Sequence, residues 1–359
     1  MTQQSATLEA RERVSRPAAV SGRSPWDLAW SRLRRDRVAM ASTVVLALIL
    51  FAVTFGAPLA GGLLGHGPND PYPYAVDFFQ KPVGPWTRVP DIHSATADDF
   101  GVPDPPDPKA GTTLLILGGD GVLGRDLFLR TLYGGRVSLE VALGAALLAV
   151  LAGAALGSAA AFFGGWIDAV VGRLSELAMA FPVLLLLIML GSVGNPLDDV
   201  TLWGALNRGV VSLIVLIAAF TWFYPARIVR SRVLALRDQE FVLAAEMVGS
   251  RSARTIRSHL LPHVVPELVV YGTLMLATNI MLEAGVSFLN AGIKLPTASW
   301  GTLLSSAWGT GLSPGQQWLW FQPWLTIVPS LAIFLTVLAV NQLGEALGDA
   351  FGARPARAA

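Results

Sequence analysis

The sequence contains no cysteine and few charged residues. Of its 359 residues, 53% are hydrophobic and 14% are charged, whereas soluble proteins average about 25% charged. The absence of cysteine excludes disulfides, thiolate catalysis and cysteine-ligated metals. The net charge of +1 gives no reason to expect a nucleic-acid partner. Because a soluble domain cannot hide so much apolar surface, the composition predicts a protein embedded in membrane lipid.

Lysine is also scarce. The three lysines are Lys81, Lys109 and Lys294, and none of them follows a glycine. A Walker A loop needs a Gly-Lys pair to hold nucleotide phosphates. We therefore expect no ATP site, no cofactor of its own and no catalytic residue in this chain.

Six segments have the length and apolar character of a membrane span, which needs roughly 20 such residues. They are Val38–Ala60, Val141–Trp166, Leu177–Leu197, Gly209–Ala226, Leu268–Ile293 and Pro323–Leu343. The predicted fold class is all-α, a polytopic membrane protein with about six transmembrane helices. The predicted divisions are an N-terminal tail (1–37), a first helix (38–60), an external loop (61–137), a transmembrane domain (138–347) containing a cytoplasmic loop (227–266), and a C-terminal tail (348–359).

The distribution of lysine and arginine predicts the orientation. With the N-terminus inside, the cytoplasmic segments carry 18 of these residues and the external segments carry 8. Cytoplasmic loops of membrane proteins are enriched in both residue types. Both termini are therefore predicted to be cytoplasmic.

Residues 61–137 form a long insertion after the first predicted helix. Ten of its first fifty residues are proline, and it carries nine aspartates. This composition predicts irregular chain that caps a surface, with no separate folded domain. Near its end, Leu123–Leu132 places Leu123, Leu127, Phe128 and Leu132 opposite Arg125 and Arg130. This pattern fits a short helix on the membrane surface or an ordinary buried loop helix.

Three patterns imitate functional sites of soluble enzymes. Gly119–Gly124 matches GxGxxG, but a dinucleotide site needs a βαβ unit around it. Gly311–Gly315 matches GxSxG. A nucleophile elbow needs a strand before it and a helix after it, whereas Pro314 and the two glycines indicate a turn. His259 and His263 are spaced for one helical face, but no acidic residue completes a metal site. We expect no metal or cofactor at any of the three.

The predicted cytoplasmic loop contains an amphipathic segment, Asp238–Val248. Glu240 lies in its first turn, where an acid favours the helix dipole, and Gly249 is placed as a C-terminal cap. Phe241, Ala244, Ala245 and Val248 share one face. A basic tract follows, and Pro262 is expected to break the chain before the fifth span. The apolar face implies either a partner or packing on the protein's own spans.

This segment resembles the EAA loop of ABC import permeases. Ala244-Ala245-x3-Gly249 is followed twelve residues later by Leu261-Pro262, as in EAA-x3-G-x9-I-x-L-P, with Leu243 in place of the usual Glu and His259 in place of Ile. The His-x-Leu-Pro form is similar to the peptide-transporter branch. The resemblance implies ATPase-coupling residues Glu240, Phe241, Ala244, Ala245, Val248, Gly249, Leu261 and Pro262.

Four further segments resemble the C-type permease of dipeptide, oligopeptide and nickel importers, and together they cover residues 123–351. They are Leu123–Leu139 (GRD…YGxRxSL), Ala161–Leu186 (with Phe181-Pro182), Glu283–Gly301 and Leu335–Phe351. The resemblance implies a type I importer permease fold, in the inner membrane of a bacterial cell. It also implies a second homologous permease, two ATPase subunits that hold ATP and Mg, an external solute-binding protein and a peptide or similar small solute.

Two features inside the predicted spans remain open between interpretations. Glu283 is the only acid well inside a predicted span; it lines the pathway or accepts hydrogen bonds that stabilise packing. Gly153, Gly157 and Ala161 form a small-residue face that lets another helix approach closely. That helix belongs to this chain or to a partner.

Two other classes of function were weighed against an importer subunit. An ion-coupled secondary transporter working alone predicts intramembrane ionisable relays and internal repeats, and the sequence has one acid and no clear repeat. A membrane-embedded enzyme needs converging His, Asp or Ser inside the spans, and the sequence does not place them there. Co-purification with ATPase subunits separates the importer from both.

Overall fold

Among the residues described by the computed structural model of this chain, four helices are long and apolar enough to cross a bilayer. They are Arg37–Leu64, Leu127–Phe163, Ser252–Phe288 and Trp324–Ala350. Two pairs of shorter helices meet the same criterion together, so the described residues hold up to six spans if each pair counts as one. The structure describes residues 25–77, 81–93, 111–193, 196–200, 202, 206–207, 209–308 and 322–352.

The main helices are numbered in chain order. They are α1 (Pro25–Leu33), α2 (Arg37–Phe51), α3 (Ala57–Leu64), α4 (Leu127–Phe163), α5 (Gly165–Met179), α6 (Val183–Ser192), α7 (Val210–Ala219), α8 (Phe223–Arg237), α9 (Glu240–Met247), α10 (Leu261–Phe288), α11 (Trp300–Ala307) and α12 (Trp324–Ala350). A π-helical segment, Ala52–Gly56, joins α2 to α3, and another, Thr255–Leu260, leads into α10. The main bundle packs α4 against α8, α10 and α7, with α12 against α10 and α2.

Helix α4 begins earlier than predicted. Its N-cap is Asp126, whose side chain accepts hydrogen bonds from the backbone of Phe128 and Leu129. The expected short surface helix at Leu123–Leu132 is therefore wrong, because its second half is the first turn of a continuous 37-residue helix. The prediction assumed that Arg125 and Arg130 face water, but both are buried.

The third and fourth predicted spans are each broken into two helices. Helices α5 and α6 meet at 82°, and α7 and α8 meet at 45°. Pro182, in extended backbone geometry, precedes α6. Proline lacks an N–H, and it disfavours helical geometry at the preceding residue. The span predicted over Leu177–Leu197 is therefore interrupted at Pro182 and begins earlier in the chain, with α5.

Pro262 does not break the chain. It lies at the second position of α10. The π-helical turns Thr255–Leu260 lead directly into it. The helical run therefore continues from Ser252 to Phe288, and the expected interruption is wrong.

The small-residue face of α4 packs against α8 of the same chain. A Cβ added at Gly153 would lie 2.6 Å from Cγ of Pro225, and one added at Gly157 would overlap the carbonyl of Ala226. Glycine at both positions lets the two backbones touch. This contact resolves the alternative left open by the sequence.

Part of the insertion after the first span is folded. Strand β1 (Thr87–Pro90) pairs antiparallel with β2 (Thr112–Leu115), and β3 (Gly119–Asp120) pairs with β4 (Arg125–Asp126). A small core is formed by Tyr72, Ala75, Val89 and Leu115. The all-α and irregular-chain predictions therefore need correction here, because tertiary contacts order segments that have little periodicity of their own. Residues 94–110 lie outside the described part.

Candidate functional site

The predicted coupling segment forms helix α9, Glu240–Met247. Glu240 occupies its first turn, as expected from the sequence. The helix ends in a Schellman motif, in which the Gly249 N–H donates to the Glu246 carbonyl at 2.9 Å and the Ser250 N–H donates to the Ala245 carbonyl at 3.0 Å. Gly249 has φ +85, a conformation that glycine adopts without strain. The predicted cap is confirmed.

The apolar face of α9 is turned outward. Phe241, Ala244 and Val248 are exposed and Ala245 is half-buried, and 90% of Val248 is accessible. Only Val242 is fully buried among the residues of α9; it packs in a cluster with Ala161 and Leu260. Val242 thus anchors the helix, which presents a largely exposed apolar surface, here called the α9 stripe (Phe241, Ala244, Ala245 and Val248).

The start of α10 supports the α9 stripe from one side. The ring of Phe241 packs on the ring of His263, with centroids 5.3 Å apart. Leu261 and Pro262 lie in the same first turn of α10 as His263. The three basic residues between α9 and α10, Arg251, Arg254 and Arg257, are exposed. The predicted coupling residues therefore lie together, next to a basic surface.

The loop bearing α9 and the insertion after the first span lie at opposite ends of α4. The Arg237 side chain, just before α9, donates to the carbonyl of Ala161 near the C-terminus of α4. The insertion contacts Asp126 at the N-terminus of α4. A helix of 37 residues is about 55 Å long, more than the roughly 30 Å of bilayer hydrocarbon. We call these the coupling end and the distal end.

A buried polar network holds the distal end. Asp120 Oδ2 forms ion pairs with Arg130 Nε at 2.6 Å and with Arg125 Nη2 at 3.7 Å. Burial and the nearby charge of Arg130 lower the pKa of Arg125 to about 10. His66 Nε2 lies 2.9 Å from Asp126 Oδ2, with both side chains almost inaccessible. Sequence reasoning missed this network because His66 and Asp126, which contact each other, are 60 residues apart in the chain.

Glu283 lies in α10 and has no exposed surface. The Ser287 hydroxyl donates to its Oε1 at 2.8 Å. Ser138, in α4, and Ser299, just before α11, lie close to its carboxyl. Glu283 therefore lies where three segments of the bundle meet. This geometry favours the packing interpretation over the pathway interpretation.

Two of the three enzyme-like patterns, Gly119–Gly124 and the pair His259 and His263, lie in the part of the chain that the structure describes. Gly119–Gly124 spans a short strand and a 3-10 turn with no βαβ unit around it, and a Cβ at Gly124 would overlap the Tyr72 carbonyl. Within the described residues, no cluster of three His, Cys, Asp or Glu side chains could hold a metal. The GxSxG match at 311–315 lies outside the described part of the chain.

Comparison with known proteins identifies the family. Residues 135–357 match the model of the binding-protein-dependent transport system inner membrane component. Residues 24–82 match the N-terminal transmembrane domain of oligopeptide transport permease C. The chain belongs to this family of importer permeases. The permease works with other components of an ABC transporter and is not itself catalytic, because ATP is hydrolysed on separate ATPase subunits.

Individual relatives agree with the family match. A protein of Brucella ovis named as a peptide permease is 39% identical to this permease over 237 residues, covering 66% of this chain and 72% of that protein. The nickel transport system permease protein NikC of Escherichia coli is 35% identical, covering 63% and 75%. The oligopeptide transport system permease protein OppC of Bacillus subtilis is 30% identical, covering 91% and 89%. The secondary-transporter alternative is not favoured.

Proposed function

We propose that this permease passes small peptides, or a chemically related small solute, across the inner membrane. The proposal draws its substrate class from relatives whose names refer to peptides and oligopeptides. A solute-binding protein outside the cell delivers the solute. The transport energy comes from ATP and Mg bound on two partner ATPase subunits, while this chain carries no cofactor.

The second half of the pathway comes from a homologous permease subunit. This chain and its homologue are expected to form a heterodimer surrounded by membrane lipid. Many apolar side chains of the helical runs are exposed, as surfaces that face lipid or another span must be. Leu48, Phe51, Phe55 and Leu59 on the first span are each about 60% accessible.

Both termini and α9 are proposed to be cytoplasmic, with the distal end outside. Three observations support this orientation. The lysine and arginine split is 18 to 8, the loop bearing α9 holds exposed arginines, and α4 separates the coupling end from the distal end. The folded insertion at the distal end is then placed where the binding protein docks.

The α9 stripe is proposed to be the surface that receives the movement of the ATPases. Its exposure is the observation that carries the proposal, because an apolar helix face outside the spans is stable only when a partner covers it. Glu240 and Gly249 fix the two ends of the helix, and Leu261 and Pro262 connect it to α10. ATP-driven closure of the ATPases would then move α9 and α10 together between two packed states.

The substitution Ala245→Arg tests this assignment. A long charged side chain at the centre of the α9 stripe is expected to prevent docking and reduce ATP-driven uptake at least tenfold, while membrane insertion stays normal. Uptake, co-purification of the ATPases and the amount of inserted protein are measured together. Unchanged uptake with the ATPases still bound would refute the docking surface.

Ser231→Arg provides the matched control. Ser231 is exposed on α8, outside the α9 stripe, so the same new charge should leave uptake and ATPase association close to wild type. Loss of function in both variants would indicate that any added arginine in this region is harmful. Such a result would count against a specific role for α9.

A further inference from the structure

A polar cavity opens at the distal end of α4, outside the coupling region. Its volume is about 250 Å³. Four separate chain segments build its walls: the start of the insertion, one face of α4, the segment before α7 and the turn before α11. The polar lining residues are Asn69, Tyr133, Arg136, Glu140, Asn207 and Thr297.

Arg130 does not line the cavity, but it forms hydrogen bonds to two of the four segments that build the cavity walls. Arg130 Nη1 donates to Oδ1 of Asn69 at 2.8 Å and to the carbonyl of Pro296 at 3.3 Å. Its side chain is 1% exposed, and its Nε is paired with Asp120. Because Thr297 directly follows Pro296, one buried guanidinium fixes both walls. The cavity is therefore preorganised.

The cavity contains one positive and one negative side chain, one helical turn apart on α4. Arg136 Nε donates to Glu140 Oε1 at 2.8 Å. The side chain of Arg136 is 49% exposed and that of Glu140 is 23% exposed, so both charges are accessible from the cavity. Guanidinium groups bind carboxylates through paired N–H donors, and carboxylates bind ammonium groups. Glu140 directly precedes the second predicted span, Val141–Trp166, and the structure places it within α4.

We propose that this cavity binds short zwitterionic peptides by their termini, with the peptide carboxylate on Arg136 and the peptide ammonium on Glu140. The inference rests on the proposed transport of peptides and adds a binding site to it. A volume just below the roughly 300–1,000 Å³ of typical small-molecule pockets fits a peptide of two or three residues. Tyr133, Asn207 and Thr297 supply hydrogen-bonding groups for its backbone.

Direct binding to the assembled importer tests the site. The probes are trialanine, its C-terminal amide and its N-acetyl form, titrated against the purified permease–ATPase complex without the binding protein. Wild type should bind trialanine on the order of tenfold more tightly than either blocked form, because each blocked terminus loses one charge-assisted contact. Equal affinity for all three, or binding of none, would overturn the proposal.

Two substitutions separate recognition from a structural role. Arg136→Gln should weaken binding of trialanine and leave binding of the amide unchanged, while Glu140→Gln should weaken trialanine and leave the N-acetyl form unchanged. A salt bridge that only supports the helix would give equal losses for free and blocked peptides. That result would refute the site. Arg88→Gln, at an exposed arginine outside the cavity, should change none of the affinities.

Uptake measured on the same complexes distinguishes this inference from the proposed function. If wild type transports peptides but Arg136→Gln and Glu140→Gln weaken the binding of free and blocked peptides equally, the proposed binding site is wrong and the proposed function stands. If the wild-type complex, supplied with its binding protein, transports no peptide at all, the proposed substrate class is wrong as well.

Discussion

His66 and Asp126 connect the insertion to the N-terminus of α4 through a buried contact of 2.9 Å between Nε2 and Oδ2. Asp126 also caps α4 through its other oxygen. The other ring nitrogen of His66 lies 3.2 Å from the Leu64 carbonyl, at the end of the first span. An imidazolium, with two N–H donors, satisfies both acceptors at once. One histidine therefore joins the first span, the insertion and the long helix.

The stability of this junction should depend on pH. Burial lowers the pKa of His66, but the hydrogen bonds to Asp126 and Leu64, with the charges of Asp126 and Asp70, raise it to a net value above 6.5. A raised pKa in the folded state stabilises the fold below pH 6.5, and this stabilisation is lost as the pH rises through the folded-state pKa. Thermal unfolding of the purified permease should therefore occur at lower temperature above neutral pH.

The variant His66→Gln provides the test of that dependence. Glutamine keeps a hydrogen-bond donor toward Asp126 and does not titrate, so the difference in unfolding temperature between pH 6 and pH 8.5 should shrink relative to wild type. An undiminished difference would show that another group causes it. His93→Gln is the control, because His93 is exposed and its pairing with Asp91 is at the surface.

Removing one partner of the Arg130–Asp120 pair should be costly. Arg130→Met leaves the buried Asp120 carboxylate without its closest cation, and breaking a buried pair costs roughly 3–5 kcal/mol. The double variant Arg130→Met/Asp120→Asn removes the uncompensated charge, so it should be more stable than the single variant. The free energies of unfolding in detergent, compared in a double-mutant cycle, measure this coupling. A double variant as unstable as the sum of the two single variants would contradict it.

A single methyl group should disturb the contact between α4 and α8. In Gly157→Ala the new Cβ would overlap the carbonyl of Ala226, and such overpacking costs about 1–3 kcal/mol. Gly172→Ala in α5 is the matched control, because nothing lies within 4 Å of its Cβ. Alanine there should be neutral or stabilising by up to about 1 kcal/mol. Thermal unfolding of both variants measures the difference, and similar unfolding temperatures would argue against the close contact.

The absence of native cysteine makes the orientation directly testable by labelling. A cysteine introduced as Arg88→Cys, in the exposed part of the insertion, should react with an impermeant thiol reagent added outside intact cells. One introduced as Ser252→Cys, beside α9, should react only after the membrane is permeabilised. The reverse pattern would overturn both the proposed orientation and the docking of ATPases on α9.

Much of the fold follows from local sequence. Apolar runs without charge place the spans, because a bilayer requires roughly 20 apolar residues in succession. Gly249 marks the end of α9, because the left-handed backbone there favours glycine. The pattern of Phe241, Ala244 and Val248 predicted that these residues share one face, since helical periodicity depends only on spacing, but not that this face points outward.

The tertiary structure alone decided where α4 begins and what surrounds it. Arg125 and Arg130 resemble surface residues in any local window, and they are buried only because the folded chain places Asp120 beside both. The bend between α7 and α8 and the partner of Gly157 likewise depend on which helices pack together. The sequence by itself determined a membrane-spanning permease with a short helix between its fourth and fifth predicted spans. The distal network and its cavity required the three-dimensional fold, because His66 contacts Asp126 and Asn69 contacts Arg130 across 60 and 61 residues of chain.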